Sequence, residues 1–98
     1  MLVKIHKSYR EIVSICDKEL LGKKFEEGIM QLDLTGEFYK GEEKSAPEVM
    51  EVIKNSAMED ATFNIVGEKS ITCALKAGVI STEGLKRVLG IPVALVLL

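Results

Sequence analysis

The sequence predicts an α+β fold: a two-layer sandwich in which a mainly antiparallel or mixed sheet of about five strands carries two main helices on one face. Three observations predict it. The N-terminal residues alternate apolar and polar and then turn back on themselves, as a hairpin does. Two later segments open with helix-start residues and repeat their apolar positions with helical spacing. Segments that read as strands outnumber those that read as helices, so the helices cover a sheet rather than each other. The 98 residues suffice for one small domain and are too few for two, so residues 1–98 read as a single domain.

Leu2 to Lys7 alternates and reads as the first strand, Ser8 to Arg10 as a tight turn, and Glu11 to Cys16, rich in β-branched residues, as the returning strand. Asp17 is placed to cap a short helical turn over Lys18 to Leu21, with Gly22 ending it in the left-handed region. Lys23 to Gly28 reads as charged and irregular. Ile29 to Leu34 alternates again and reads as a third strand, broken by Gly36.

Ser45-Ala46-Pro47-Glu48 is a helix start: serine caps, proline fits the first turn, and glutamate three residues on completes a capping box. The helix that follows turns Val49, Met50, Val52, Ile53 and Ala57 inward and Glu51, Lys54 and Asn55 outward. Ala61 to Val66 reads as a fourth strand. A second helix over Glu68 to Ala77 has Ile71, Ala74 and Leu75 as its inner stripe, with Cys73 or Ala77 beside it, and Gly78 closes it. Leu85 to Leu89 fits a short helix or a strand, Gly90-Ile91-Pro92 forces a turn, and the apolar Val93 to Leu98 reads as a strand buried on both faces.

The net charge of −2 is unevenly spread: residues 1–24 carry +3, residues 25–60 carry −7 and residues 61–98 carry +2. Solvated faces and internal ion pairs account for this layout, and the alternative is a basic surface built from the two ends for an anionic partner. No basic segment followed by an apolar one opens the chain, and the longest apolar run, Ile91 to Leu98, spans 8 residues where a bilayer requires about 20. The expectation is a cytoplasmic protein without a membrane association, with Cys16 and Cys73 both reduced.

Asn64-Ile65-Val66-Gly67-Glu68-Lys69-Ser70 sits at a strand-to-helix junction and invites reading as a phosphate loop. Such a loop needs a glycine five positions before Gly67, where this chain has Thr62, and a lysine directly after Gly67, where it has Glu68. A carboxylate in the first turn suits the helix dipole but repels a docked phosphate. Gly67 then allows a tight bend, Asn64 ties down loop backbone, and Glu68 stabilises the helix start. Gly22-Lys23-Lys24 follows a helix end rather than a strand and reads as a cap. One histidine and two cysteines without metal-ligand spacing predict no metal and no cofactor, and His6 reads as a surface or hydrogen-bonded side chain. The carboxylate beside Cys16 raises its thiol rather than activating it. The neighbours Phe38 and Tyr39 would point to opposite faces of a strand, so only one could stack on a base.

Cys16-Asp17 with Glu19-Leu20-Leu21-Gly22, Phe38-Tyr39-x-Gly41, Asn64-x-Val66-Gly67-Glu68 and Gly90-x-Pro92-x-Ala94, in that order, span nearly the whole chain. In this pattern the chain resembles a small archaeal family of uncharacterised proteins, a domain of unknown function of similar length. The resemblance implies a compact α+β domain, an archaeal cytoplasmic source and no assigned activity. Relatives in that family often carry histidine between the proline and alanine of the last motif. This chain has Val93 there, which counts against a family-wide histidine chemistry.

Cys16, Asp17, Phe38, Tyr39, Asn64, Gly67, Glu68 and Lys69 are therefore the candidate functional surface. The leading expectation is a small non-catalytic binding or accessory module of a cytoplasmic complex, with a protein partner and, as an alternative arrangement, a homodimer. The second reading is an RNA-binding or ribosome-associated protein using a basic face of N-terminal residues with Lys69, Lys76, Lys86 and Arg87. The third is a small enzyme with a polar pocket near Glu68.

Overall fold

The computed structural model describes residues 1–97. In chain order the elements are β1 (Leu2–His6), β2 (Ile12–Cys16), β3 (Lys24–Glu27), β4 (Met30–Asp33), β5 (Glu42–Glu43), α1 (Ala46–Met58), β6 (Thr62–Val66), α2 (Glu68–Ala77), β7 (Lys86–Val88) and β8 (Ile91–Val96). Single 3₁₀ turns occupy Lys18–Leu20 and Thr82–Gly84. The main sheet is mixed and six-stranded, in the order β5-β1-β2-β6-β8-β7. Every neighbouring pair is antiparallel except β2 and β6, which run parallel. The fold is α+β.

Alternation along the strands sends two sets of side chains to two faces. Val13, Ile15, Phe63 and Ile65 face both helices and pack with Val49 and Ile53 of α1 and Ile71 and Ala74 of α2. α1 begins as its sequence dictates: Ser45 caps, the Glu48 side chain accepts from the Ser45 backbone, and the capping box is complete. On the opposite face Leu2, Cys16, Val66 and Val88 pack under Leu32 and Leu34.

That second face is covered by a separate two-stranded sheet, β3 with β4. Residues 23–28 read as irregular because they are mostly charged, yet Lys24–Glu27 is a strand. Its charges point to solvent, only Phe25 turns inward, and Gly28 at φ 61° makes the two-residue turn. Glu27 Oε1 accepts the Leu89 N–H at 2.8 Å and fastens this hairpin to the β7–β8 turn.

The C-terminal part departs from expectation in two ways. The turn falls on Leu89 and Gly90, both at positive φ, and Pro92 is already inside β8 opposite Arg87. The strand tolerates it because the closing Val88–Ile91 pair turns the Pro92 backbone away from β7. Its carbonyl accepts the Gly67 N–H instead. Nor is the last strand buried throughout. β7 covers the outer edge of β8 only from Ile91 to Val93, because it is three residues long. Leu95 is 63% exposed and Leu97 72%. Leu98, the end of the predicted apolar run, lies outside the described residues. Among the described residues no helix is long and apolar enough to cross a membrane.

Candidate functional site

β2 and β6 are parallel and end side by side, Cys16 opposite Val66. The carboxyl ends of adjacent parallel strands are where open α/β sheets commonly receive ligands, above the N-terminus of the following helix. Here that helix is α2. Its N-cap is Gly67 at φ 107°, which brings no capping side chain. The first N–H groups of α2 therefore need an acceptor from elsewhere.

Asp17 supplies it. The residue following β2 places its carboxylate over α2, where Oδ2 accepts the Lys69 N–H at 3.1 Å. Oδ1 accepts the Ser70 N–H at 2.9 Å and the Ser70 hydroxyl at 2.8 Å. Asp17 and Ser70 are both buried. This corrects the expectation that Asp17 caps the 3₁₀ turn over Lys18–Leu20, which receives no side-chain cap from it. One buried and one partly buried N–H group at the positive end of a ten-residue helix are stronger partners for a carboxylate than an exposed single turn.

The glycine is fixed by this contact. A Cβ on Gly67 would sit 2.4 Å from Asp17 Cγ. So the 64–70 stretch is built as an anion cradle, and the anion is the protein's own.

The other predicted residues divide between this end of the sheet and its hairpin-covered face. Asn64 is in the middle of β6, in register with Ser14 and Leu95, so it is a strand residue and not a loop tie. Glu68 is largely exposed and ion-pairs with Arg87 Nη1 at 3.0 Å, and the same nitrogen donates to the Gly90 carbonyl at 2.9 Å. Glu68 thus links the start of α2 to the β7–β8 turn. Beside it a shallow cleft of about 210 Å³ presents Asp17, Glu19 and Glu68 against Lys69 alone. A phosphate entering it would meet three carboxylates.

Cys16 is fully buried, and its Sγ lies 3.8 Å from the Tyr39 carbonyl. Burial, helped by the Asp17 charge, pushes its thiol up to about 11, and burial pushes the Tyr39 hydroxyl up to about 12. Both groups stay protonated at neutral pH, so the thiol is not a ready nucleophile. Cys73 belongs to the helix-facing core, so the two free cysteines lie on opposite faces of the sheet.

Phe38 and Tyr39 are in the loop between β4 and β5 rather than in a strand, which removes the opposite-faces constraint. Phe38 stacks on His6 with ring centroids 4.5 Å apart, and Tyr39 meets Phe38 edge-on and packs near Cys16. The Phe38 carbonyl accepts from the Ser14 hydroxyl at 2.7 Å and lies 3.0 Å from His6 Nε2. Among the N-terminal cations and those named with them for a basic face, Lys7 is matched with Glu11, Lys18 with Glu43, Lys24 with Glu26 and Arg87 with Glu68.

Sequence reasoning read His6 as a surface or hydrogen-bonded side chain but did not find its neighbours Ser14 and Phe38, named Arg87 only for a basic face, and missed the role of Ser70. Only Ser70 had a signal: a helix that opens on glycine must find its acceptor outside its own sequence.

The model of the family described as "Protein of unknown function (DUF424)" matches residues 6–98. A similar solved structure is the crystal structure of an uncharacterized conserved protein from Methanopyrus kandleri, an archaeon. It is 21% identical, with a TM-score of 0.86 over 98% of this chain and 90% of that one. At that identity the likeness concerns the fold. No curated protein matches the chain.

Proposed function

This chain belongs to the DUF424 family of proteins of unknown function, and we propose that it acts as a binding module that takes another protein strand onto the open edge of β8. One observation carries the reading. From Ala94 to Val96, β8 pairs with β6 on one side and with no strand on the other among the described residues. An apolar edge of this kind is a template for strand addition unless it is blocked by charge, proline or a bulge. Residues 93–97 contain none of the charged or proline blocks.

The interior arrangement at α2 supports the same reading indirectly, because the helix terminus best placed to hold an anionic ligand is already filled by Asp17. We place this module in the cytoplasm, where Cys16 and Cys73 would remain reduced.

The test is affinity purification of the tagged full chain from an archaeal host, as wild type and as Leu95→Lys, with every recovered chain identified by mass spectrometry. The expected result is a chain retained in stoichiometric amount by the wild type and lost by the variant. Recovery of the same set by both, or of nothing by the wild type, overturns the reading.

A further inference from the structure

We infer that the strand received by β8 is β8 of a second copy, giving a two-fold dimer with one continuous sheet. The inference rests on the strand-edge reading above and names the chain that takes the edge.

The register follows from the hydrogen bonds already made. The Gly67 N–H bonds the Pro92 carbonyl, so Pro92, Ala94 and Val96 direct their backbone groups toward β6. Val93, Leu95 and, continuing the alternation, Leu97 direct theirs outward. Lys86 of β7 already faces Val93, which leaves the N–H and C=O groups of Leu95 and Leu97.

Two copies related by a two-fold axis run antiparallel. With the axis at Val96, Leu95 of each copy stands opposite Leu97 of the other. Both pairs are then of the hydrogen-bonded kind, so every outward group of Leu95 and Leu97 is satisfied. An axis at Leu95 would pair only Leu95 with itself and set Leu97 against Val93, whose groups β7 already faces. In the chosen register the Leu95–Leu97 pairs lie beyond Val93, where the pairing of β7 with β8 ends.

Charge selects the same occupant. The flank of the edge is formed by Val79, Ile80, Ser81, Gly84 and Leu85 around a groove of about 220 Å³, and none of these is charged. A charged incoming strand would find no complement there. An uncharged apolar strand fits, and residues 93–97 are one. Four leucines, 63% and 72% exposed in each copy, would meet on the face away from the helices.

Sedimentation equilibrium of the full chain, with amide hydrogen exchange, tests this. The wild type is expected at twice 10.8 kDa, with the Leu95 and Leu97 amides protected in a concentration-dependent way. Leu95→Lys, which removes no core contact, is expected to weaken association by about 30-fold or more while leaving the circular dichroism unchanged. A wild type that is monomeric at all concentrations overturns the second copy; if Leu95→Lys nonetheless loses a different protein in the purification above, the edge reading stands. A dimer that persists in Leu95→Lys with exchanging Leu95 and Leu97 amides places the interface elsewhere and overturns the inference.

Discussion

One oxygen of Asp17 holds Ser70 twice, accepting its N–H at 2.9 Å and its hydroxyl at 2.8 Å across 53 residues of sequence. The contact joins the end of β2 to the start of α2 and so fixes how the second half of the chain docks on the first. It also decides what the helix terminus can do. A negative group at the N-terminus of α2 is stabilised by the helix dipole, and because that group is covalently part of the fold, the site is filled before any ligand arrives.

Asp17→Ala should therefore cost about 2–4 kcal/mol, because two N–H groups and one hydroxyl lose a buried acceptor. Asp17→Asn, which keeps one acceptor oxygen, should cost less. Urea denaturation measures both. Acetate or formate at millimolar concentration should raise the melting temperature of Asp17→Ala and leave the wild type unmoved. An alanine variant within about 0.5 kcal/mol of the wild type would show that the cap carries little.

Gly67→Ala should be as damaging by a different route. The added Cβ meets Asp17 Cγ at 2.4 Å, and the backbone at φ 107° and ψ 156° is a region that side chains rarely adopt. Asp17 cannot retreat without giving up its bonds to α2. A loss of about 3 kcal/mol or more is expected in the same denaturation experiment. Gly36→Ala, where nothing stands within 4 Å of the new Cβ, is the control and should stay within about 0.5 kcal/mol.

These two residues also mark how far the sequence could be read. The α1 start, the α2 bounds and the Gly78 cap were legible because each is set by residues adjacent in the chain. β3 was not, because a surface hairpin strand hides its alternation when only Phe25 faces inward. The exposure of Leu95 and Leu97 depends on where β7 stops, a tertiary fact that no property of residues 93–97 announces. Of the candidate site, Gly67 and Asp17 were legible as special positions. Their partnership was not, since Asp17 had a plausible local use as the cap of the turn that follows it.

The α1 capping box offers a local prediction with a pH signature. Ser45→Ala should cost about 1 kcal/mol at neutral pH. The Ser45 backbone N–H, with its hydroxyl second, holds the Glu48 carboxyl below its ordinary value. That stabilisation is present above the unfolded value of 4.5 and is lost as pH falls through the lower folded value. The cost of Ser45→Ala should thus be larger at pH 7 than at pH 3 when stability is measured at both. An equal cost at the two values would show that the Ser45 hydroxyl does not act on the Glu48 carboxylate, whose bond from the Ser45 backbone N–H the variant keeps.

At the alkaline end the sign reverses. Burial lifts Cys16 from 9.0 to about 11 and Tyr39 from 10.0 to about 12. Above pH 9 the unfolded chain releases a thiol proton that the folded chain keeps, and above pH 10 a phenol proton as well. The folded state then binds more protons, so stability falls as pH rises, by up to about 1.4 kcal/mol per pH unit for each group. The loss is complete once pH exceeds the folded values. Tyr39→Phe keeps the ring against Phe38 and Cys16 but removes the phenol. Its stability should fall less steeply between pH 10 and 12, while the decline from pH 9 to 10, which belongs to Cys16 together with Cys73, whose thiol burial also raises, should remain. Denaturation midpoints across that range separate the two contributions, and parallel slopes for wild type and Tyr39→Phe would show that the buried phenol is not the source.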